Sequence, residues 1–181
     1  MKKIFACLLT FLSVALFSAF NNPPVQSIHA FKVKSIEGKE IDFAKFKGKK
    51  ILVVNVASKC GYTRQYEGLQ KLYEANKDKL VIIGFPANNF GQQEPGTDGE
   101  IQEFCKARFG VTFPLAAKTD VIGDNTNDVY KWLCSKEKNG VLDATIKWNF
   151  NKFLLDENGK LLAYFGSKAE PDGPEIAAYL K

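Results

Sequence analysis

One apolar run constrains this chain more than any other stretch: Ile51 to Ala57, followed by Ser58-Lys59-Cys60-Gly61. Seven residues, mostly β-branched and ended by Ser and Gly, are the pattern of a central parallel strand buried on both faces. A turn follows, and a helix is expected to start near Thr63. Cys60 then sits where a strand gives way to a helix. Free N–H groups and partial positive charge at a helix start draw a thiol towards its thiolate, which is the nucleophile, and Lys59 adds to that field. On this stretch alone two readings stand level: a reactive cysteine, or a small buried hydrophobe.

The 181 residues suit one domain and a tail, and a 45% hydrophobic share with 15 Phe supplies a core. The net charge of +5 comes from dispersed Lys, with Arg64 and Arg108 the only arginines. No clustered basic patch with interleaved aromatics marks a nucleic-acid site. A single histidine, His29, precedes the first predicted strand, far from Cys60 in sequence. Ser-His-Asp and Cys-His catalysis, a His-bound metal and a haem with proximal His would all depend on that residue. CxxC, P-loop and GxGxxG motifs are missing. The chemistry must run on cysteine and amides, with no cofactor and no metal.

Residues 1–20 have the form of a secretory signal, Lys2-Lys3 before an apolar stretch from Ile4 to Phe20. Cleavage after Ala19 is preferred to cleavage after Ala30, because Ser27 to Phe31 leads into the first strand. The protein is then secreted or periplasmic, without stable membrane insertion; an uncleaved signal would make it membrane-anchored. Cys7 leaves with the signal, so the mature chain keeps Cys60, Cys105 and Cys134. An odd number leaves at least one thiol free.

Residues 21–26 form a linker, and residues 27–181 the domain. Phe31 to Ile36 and Lys39 to Phe43 are predicted as a hairpin turning at Glu37-Gly38. After Cys60, a helix over Arg64 to Asn76 places Tyr66, Leu69, Leu72 and Tyr73 on one face. Leu80 to Phe85 is a second apolar strand, so a βαβ unit with parallel strands and a right-handed crossover follows. The loop Pro86 to Gly96, rich in Gly, Pro and amides, then lies beside the end of the first strand, within reach of Cys60 for Gln92 or Gln93. Thr97 and Glu100 make a capping box for a helix with Ile101, Phe104, Cys105 and Arg108 on or near one face. A strand within Val111 to Val121, a helix over Thr126 to Ser135, an antiparallel hairpin from Lys152–Leu155 to Leu161–Phe165, and a last helix from Asp172-Gly-Pro174 complete the chain. The fold class is α/β, a mixed central sheet flanked by helices.

Three stretches in order, Asn55 to Gly61, Gly84 to Gly96 and Trp148 to Leu154, resemble the glutathione peroxidases, and the likeness runs from about Ser27 to the C-terminus. The resemblance implies a thioredoxin-like fold and reduction of hydrogen peroxide and organic or lipid hydroperoxides by a Cys or selenocysteine nucleophile. It puts Cys60 at the peroxidatic position, with Gln93, Trp148 and Asn149 as its catalytic partners. Their amide and indole N–H groups suit a reaction that moves negative charge from sulfur onto a leaving oxygen. Cys105 matches the resolving position of thioredoxin-dependent members, where a sulfenic acid condenses to a disulfide that a thioredoxin-like reductant reopens; Cys134 is the spare candidate. A well-formed helix round Cys105 would have to unfold locally for that step. The short segment from Ser135 to Lys147 implies a monomer, and the lack of an Arg cluster argues against a glutathione site. Where the family commonly has Pro, Cys and Gln, this chain has Arg64, Ala87 and Asn89. Arg64 would act on the thiolate or on an anionic substrate. The alternatives are a one-Cys peroxidase using glutathione, a peroxide sensor that hands its oxidation to a partner, and a thiol–disulfide oxidoreductase, the last disfavoured by the missing CxxC.

Overall fold

A computed structural model describes residues 26–180. The expected signal, its cleavage after Ala19 and most of the linker lie outside the described residues. A four-stranded sheet forms the centre, in the order β4 (Leu80–Pro86), β3 (Lys50–Val56), β5 (Lys152–Leu155) and β6 (Leu161–Phe165). Strands β3 and β4 run parallel, in register from Lys50 opposite Leu80 to Val56 opposite Pro86. Strand β5 runs antiparallel to β3, with Val54 opposite Lys152, and β6 antiparallel to β5.

The strands bury alternate residues on opposite faces, as a two-residue side-chain period requires. Ile51, Val53, Val81, Ile83, Phe85, Phe153 and Leu155 enter one apolar cluster, covered by α3 (Asp128–Leu133) through Val129, Tyr130, Trp132 and Leu133. Leu52, Val54, Val56, Leu80, Ile82 and Leu154 enter the other. Tyr66, Leu69 and Leu72 of α1 (Gln65–Ala75), Ile101 and Cys105 of α2 (Asp98–Phe109), and Ile176 of α5 (Pro174–Ala177) cover that second face. Burying each large aliphatic or aromatic side chain contributes about 1.5–3 kcal/mol before entropy is subtracted. The sheet is mixed and clad on both sides, as its sequence patterning predicts.

Three expectations need correction. The N-terminal hairpin is shorter than predicted, β1 (Lys32–Lys34) and β2 (Glu40–Asp42), and forms a separate two-stranded sheet. Residues 43–46 leave it as a 3₁₀ turn, started by the Asp42 carboxylate accepting the Ala44 N–H. Residues 111–121 form no regular strand, only isolated bridges from Ser35 to Ala116 and from Gly84 to Leu115. That segment passes so close to β4 that a Cβ on Gly84 would lie 2.6 Å from a Leu115 methyl. The helix expected over Thr126 to Ser135 is confined to α3, and a one-turn α4 (Lys136–Asn139), absent from the sequence reading, follows it. There the Asn139 side chain closes the turn, donating to the carbonyls of Trp132, Leu133 and Leu142.

Candidate active site

Because β3 and β4 are parallel, the chain leaves both at the same edge of the sheet. Strand β5 is antiparallel to them, so the residues that enter it, Trp148 and Asn149, arrive at that edge too. Three loops therefore meet there, carrying Cys60, Gln93, and Trp148 with Asn149. Their backbones are joined: Ala87 N–H donates to Val56 O at 3.1 Å, Lys59 N–H to Gln93 O at 3.0 Å, and Phe150 N–H to Asn55 O at 2.6 Å.

Cys60 is only 8% exposed. It does not stand directly on the helix start, as predicted from sequence, because α1 begins at Gln65 rather than near Thr63. A run of turns intervenes: Thr63 N–H donates to Cys60 O, Gln65 N–H to Tyr62 O and Tyr66 N–H to Thr63 O. Thr63 is the pin of this turn. Its hydroxyl accepts the Cys60 N–H at 3.0 Å and donates to Ala57 O at 2.8 Å. The donor offered to the Cys60 sulfur is the Tyr62 backbone N–H, at 3.4 Å. So the local turn, rather than the helix end, presents an N–H to the Cys60 sulfur.

The predicted partners come together. Asn149, fully buried, donates through Nδ2 to Gln93 Oε1 at 2.9 Å. Gln93 is half-buried, and its Nε2 is not used in that bond. Trp148 is 39% exposed and tilts against Phe90, ring centres 6.0 Å apart, to make an apolar lip beside the amides. Cys105 lies in the middle of α2, wholly buried, in the same apolar cluster as Cys60. Both thiols are free. Burial pushes the Cys105 thiol up to about 11, with Tyr66 beside it opposing the shift and the Glu94 charge adding to it. Cys134 belongs to the cluster on the other face of the sheet, and burial pushes it up to about 11 as well. His29 is at the far edge, against the β5–β6 turn at Gly159. Its predicted remoteness from the site holds.

Residues to which the sequence reading gave no role hold this arrangement. Asn55, buried in β3, donates to Trp148 O at 3.0 Å and accepts the Asn151 N–H at 2.9 Å. A lone amide inside an otherwise apolar strand was the available signal, since a buried polar group must find partners. Ser167 donates to Asn149 O at 2.6 Å, a contact no local pattern announces. Glu94, next to Gln93, is 1% exposed, and neither carboxylate oxygen has a partner of good geometry, although Ser58 lies beside it. Burial raises its pKa, and Lys118 and Lys59 oppose the shift. Of the departures, Ala87 fills a fully buried position and Arg64 is exposed at the head of α1. Asn89 clamps the loop by donating to Asp120 at 2.7 Å and accepting the Val121 N–H at 2.9 Å. Among the described residues no group of His, Cys, Asp and Glu is arranged to hold a metal ion.

A cysteine held by a tight turn at the edge of a thioredoxin-like sheet, where two neighbouring loops carry a hydrogen-bonded amide pair and an indole, fits a thiol-based oxidoreductase. Residues 28–134 match the family model for glutathione peroxidase. A glutathione peroxidase-like peroxiredoxin of Chlamydomonas reinhardtii is 48% identical over 155 residues, covering 84% of this chain and 95% of the relative. The hydroperoxy fatty acid reductase of Synechocystis is 45% identical over 158 residues, covering 84% and 92%. The solved apo structure of Trgpx is 40% identical, covers 84% of this chain and 94% of its own, and superposes with a TM-score of 0.66. The chain belongs to the glutathione peroxidase family. It is a glutathione peroxidase-like hydroperoxide reductase.

Proposed function

We propose that the enzyme is a two-cysteine peroxidase recharged by a thioredoxin-like dithiol. The Cys60 thiolate attacks one peroxide oxygen; an S–O bond forms, the O–O bond breaks, and the departing alkoxide or hydroxide takes a proton. Gln93, Trp148 and Asn149 supply the N–H donors for the leaving oxygen, each such donor contributing about 100-fold or more in rate. The Cys105 thiolate then attacks the sulfenic sulfur, releasing its oxygen as water once protonated, and a Cys60–Cys105 disulfide results. Two electrons from an external dithiol reopen it.

One observation carries the resolving step. Cys60 and Cys105 share an apolar cluster on one face of the sheet, whereas Cys134 belongs to the other. Helix α2 suits a local opening: it has a complete capping box from Thr97 and Glu100, but of its 12 residues only Ile101 and Cys105 are buried. Its other apolar contacts come from the half-buried Phe104 and Phe109. The Trp148–Phe90 lip favours hydroperoxides with an apolar chain, in keeping with the Synechocystis relative's action on hydroperoxy fatty acids. The N-terminal Lys2-Lys3 and the apolar Ile4 to Phe20 support export, hence a secreted or periplasmic enzyme. The short connection from Ser135 to Lys147 supports a monomer.

Intact and peptide mass spectrometry after one equivalent of hydrogen peroxide tests the reading. A Cys60–Cys105 disulfide within seconds is the expected product. Oxidised Cys60 beside a free Cys105 would shift the reductant to glutathione, and an unreacted Cys60 would remove the catalytic assignment altogether.

A further inference from the structure

Lys152 is a lysine with no access to solvent, placed in β5 only three residues after Asn149. A buried ammonium is costly unless every donor is met. Here each of its three N–H groups has an acceptor: Gln65 Oε1 at 2.6 Å, Ala169 O at 2.5 Å and Ser167 O at 3.4 Å. These acceptors lie on two different elements. Gln65 is the first residue of α1 and receives the Cys60–Thr63 turn, its N–H bonded to Tyr62 O at 2.9 Å. Its Nε2 donates in turn to Ser167 O at 2.9 Å. Ser167 Oγ donates to Asn149 O at 2.6 Å and accepts from Asn151 Nδ2 at 3.3 Å.

We infer that Lys152 is a positioning residue for the peroxide reaction, tying the turn that carries Cys60 to the segment that seats Asn149 through its shared contacts with Gln65 and the 167–169 loop. A nonpolar core residue would fill the volume, but it would leave Gln65 Oε1 and Ala169 O without their donor and only the Gln65 Nε2–Ser167 O bond to tie α1 to the loop. The charged groups acting on the ammonium are Glu170, beyond the loop, and Glu175 on α5, and both favour its charged form. Among the described residues neither makes an ion pair with it. From α1 it meets the neutral Gln65. Burial outweighs the two carboxylates and lowers the Lys152 pKa to about 8. A neutral amine has two N–H donors for three acceptors, so one tie is lost above that pH.

The inference rests on the assignment of Cys60 as the nucleophile, and the test separates the two. Reduced protein is mixed rapidly with hydrogen peroxide from pH 6.5 to 10, and Cys60 oxidation is followed by alkylation and mass spectrometry, with Cys60→Ser as the blank. If wild-type Cys60 does not react, the nucleophile assignment fails, and with it this inference. If it reacts, the wild-type-to-Lys152→Met rate ratio is expected to be about tenfold or more at pH 7 and to fall several-fold above pH 8, where one of the three ties is lost. Lys152→Arg, charged throughout, is expected within about threefold of wild type at pH 7 and to outpace it at pH 10. A purely structural lysine would lower the melting temperature of the Met variant without that pH signature. A ratio near one at pH 7, or one that does not fall between pH 7 and pH 10, overturns the inference. Should the Met variant not fold, an Arg variant that slows in parallel with wild type above pH 8 overturns it equally.

Discussion

Asn149 Nδ2 donates to Gln93 Oε1 at 2.9 Å, joining residues 56 positions apart in sequence. Because Gln93 receives on its oxygen, its Nε2 is left free of that bond. One buried amide thereby orients another that is half-exposed. In the reaction proposed above, this preorganises a donor before any charge develops.

Asn149→Ala is therefore expected to slow Cys60 oxidation more than loss of one donor would suggest, because Gln93 loses its orientation as well. A drop of about 100-fold or more is expected for Asn149→Ala and for Gln93→Ala. The double variant should fall little further, since the two side chains act as one unit. Rapid-mixing rates for the three proteins decide this; strictly multiplicative losses would show that the amides work separately.

Asn55→Ala leaves the buried Asn151 N–H without its acceptor and removes one of the donors to Trp148 O. A stability loss of about 1–3 kcal/mol is expected from urea unfolding. The peroxide rate should also fall about tenfold or more as Trp148 and Asn149 shift. Retention of both wild-type values would show that the Trp148 loop is held by other contacts.

Glu94 gives a pH-dependent prediction. Its folded pKa is raised by burial above the ordinary 4.5. Below pH 4.5 the carboxyl is protonated in folded and unfolded chains alike. As pH rises, the unfolded chain ionises first, so stability is lost until the folded pKa is passed. Glu94→Gln removes that loss. Its melting temperature should exceed wild type at pH 7 by about 2–4 °C for each kcal/mol recovered, and the gain should shrink at pH 4. A gain equal at both pH values would mean that the charge is not its source.

Cys105→Ser is expected to complete one round of peroxide reduction and then stop when supplied with thioredoxin, thioredoxin reductase and NADPH. Cys134→Ser should cycle at close to the wild-type rate, since its thiol sits behind the sheet. Sustained NADPH consumption by Cys105→Ser would reassign the resolving role.

Much of this enzyme is legible along the chain because its signals are short-range. The two apolar runs became β3 and β4, and Thr97 with Glu100 capped α2 as their spacing predicts. The N-terminal hairpin is shorter than its pattern predicts because the Asp42 carboxylate accepts the Ala44 N–H and turns the chain into a 3₁₀ segment at Phe43. The strand expected in 111–121 failed for another reason: the segment crosses beside Gly84 through bridges at single residues, without continuous pairing. Cys60 was correctly placed at the end of a strand, but whether a helix end or a backbone N–H two residues away serves its sulfur depended on where α1 begins. Its motifs also carried the family resemblance that the comparisons bear out.

By itself, then, the sequence determined the strands, the helix caps and a cysteine after the central strand, because periodicity and capping act within a few residues. Only the tertiary structure decided which groups surround that cysteine. The antiparallel entry of β5 brings Trp148 and Asn149 to the edge where Cys60 and Gln93 stand, and sheet pairing is a long-range choice that no local pattern records. The same pairing puts Lys152 inside the molecule, where three acceptors from α1 and the 167–169 loop converge on its ammonium. It also sets Cys105 and Cys134 on opposite faces of the sheet, a distinction made by burial and topology, since one lies within α2 and the other just past the end of α3.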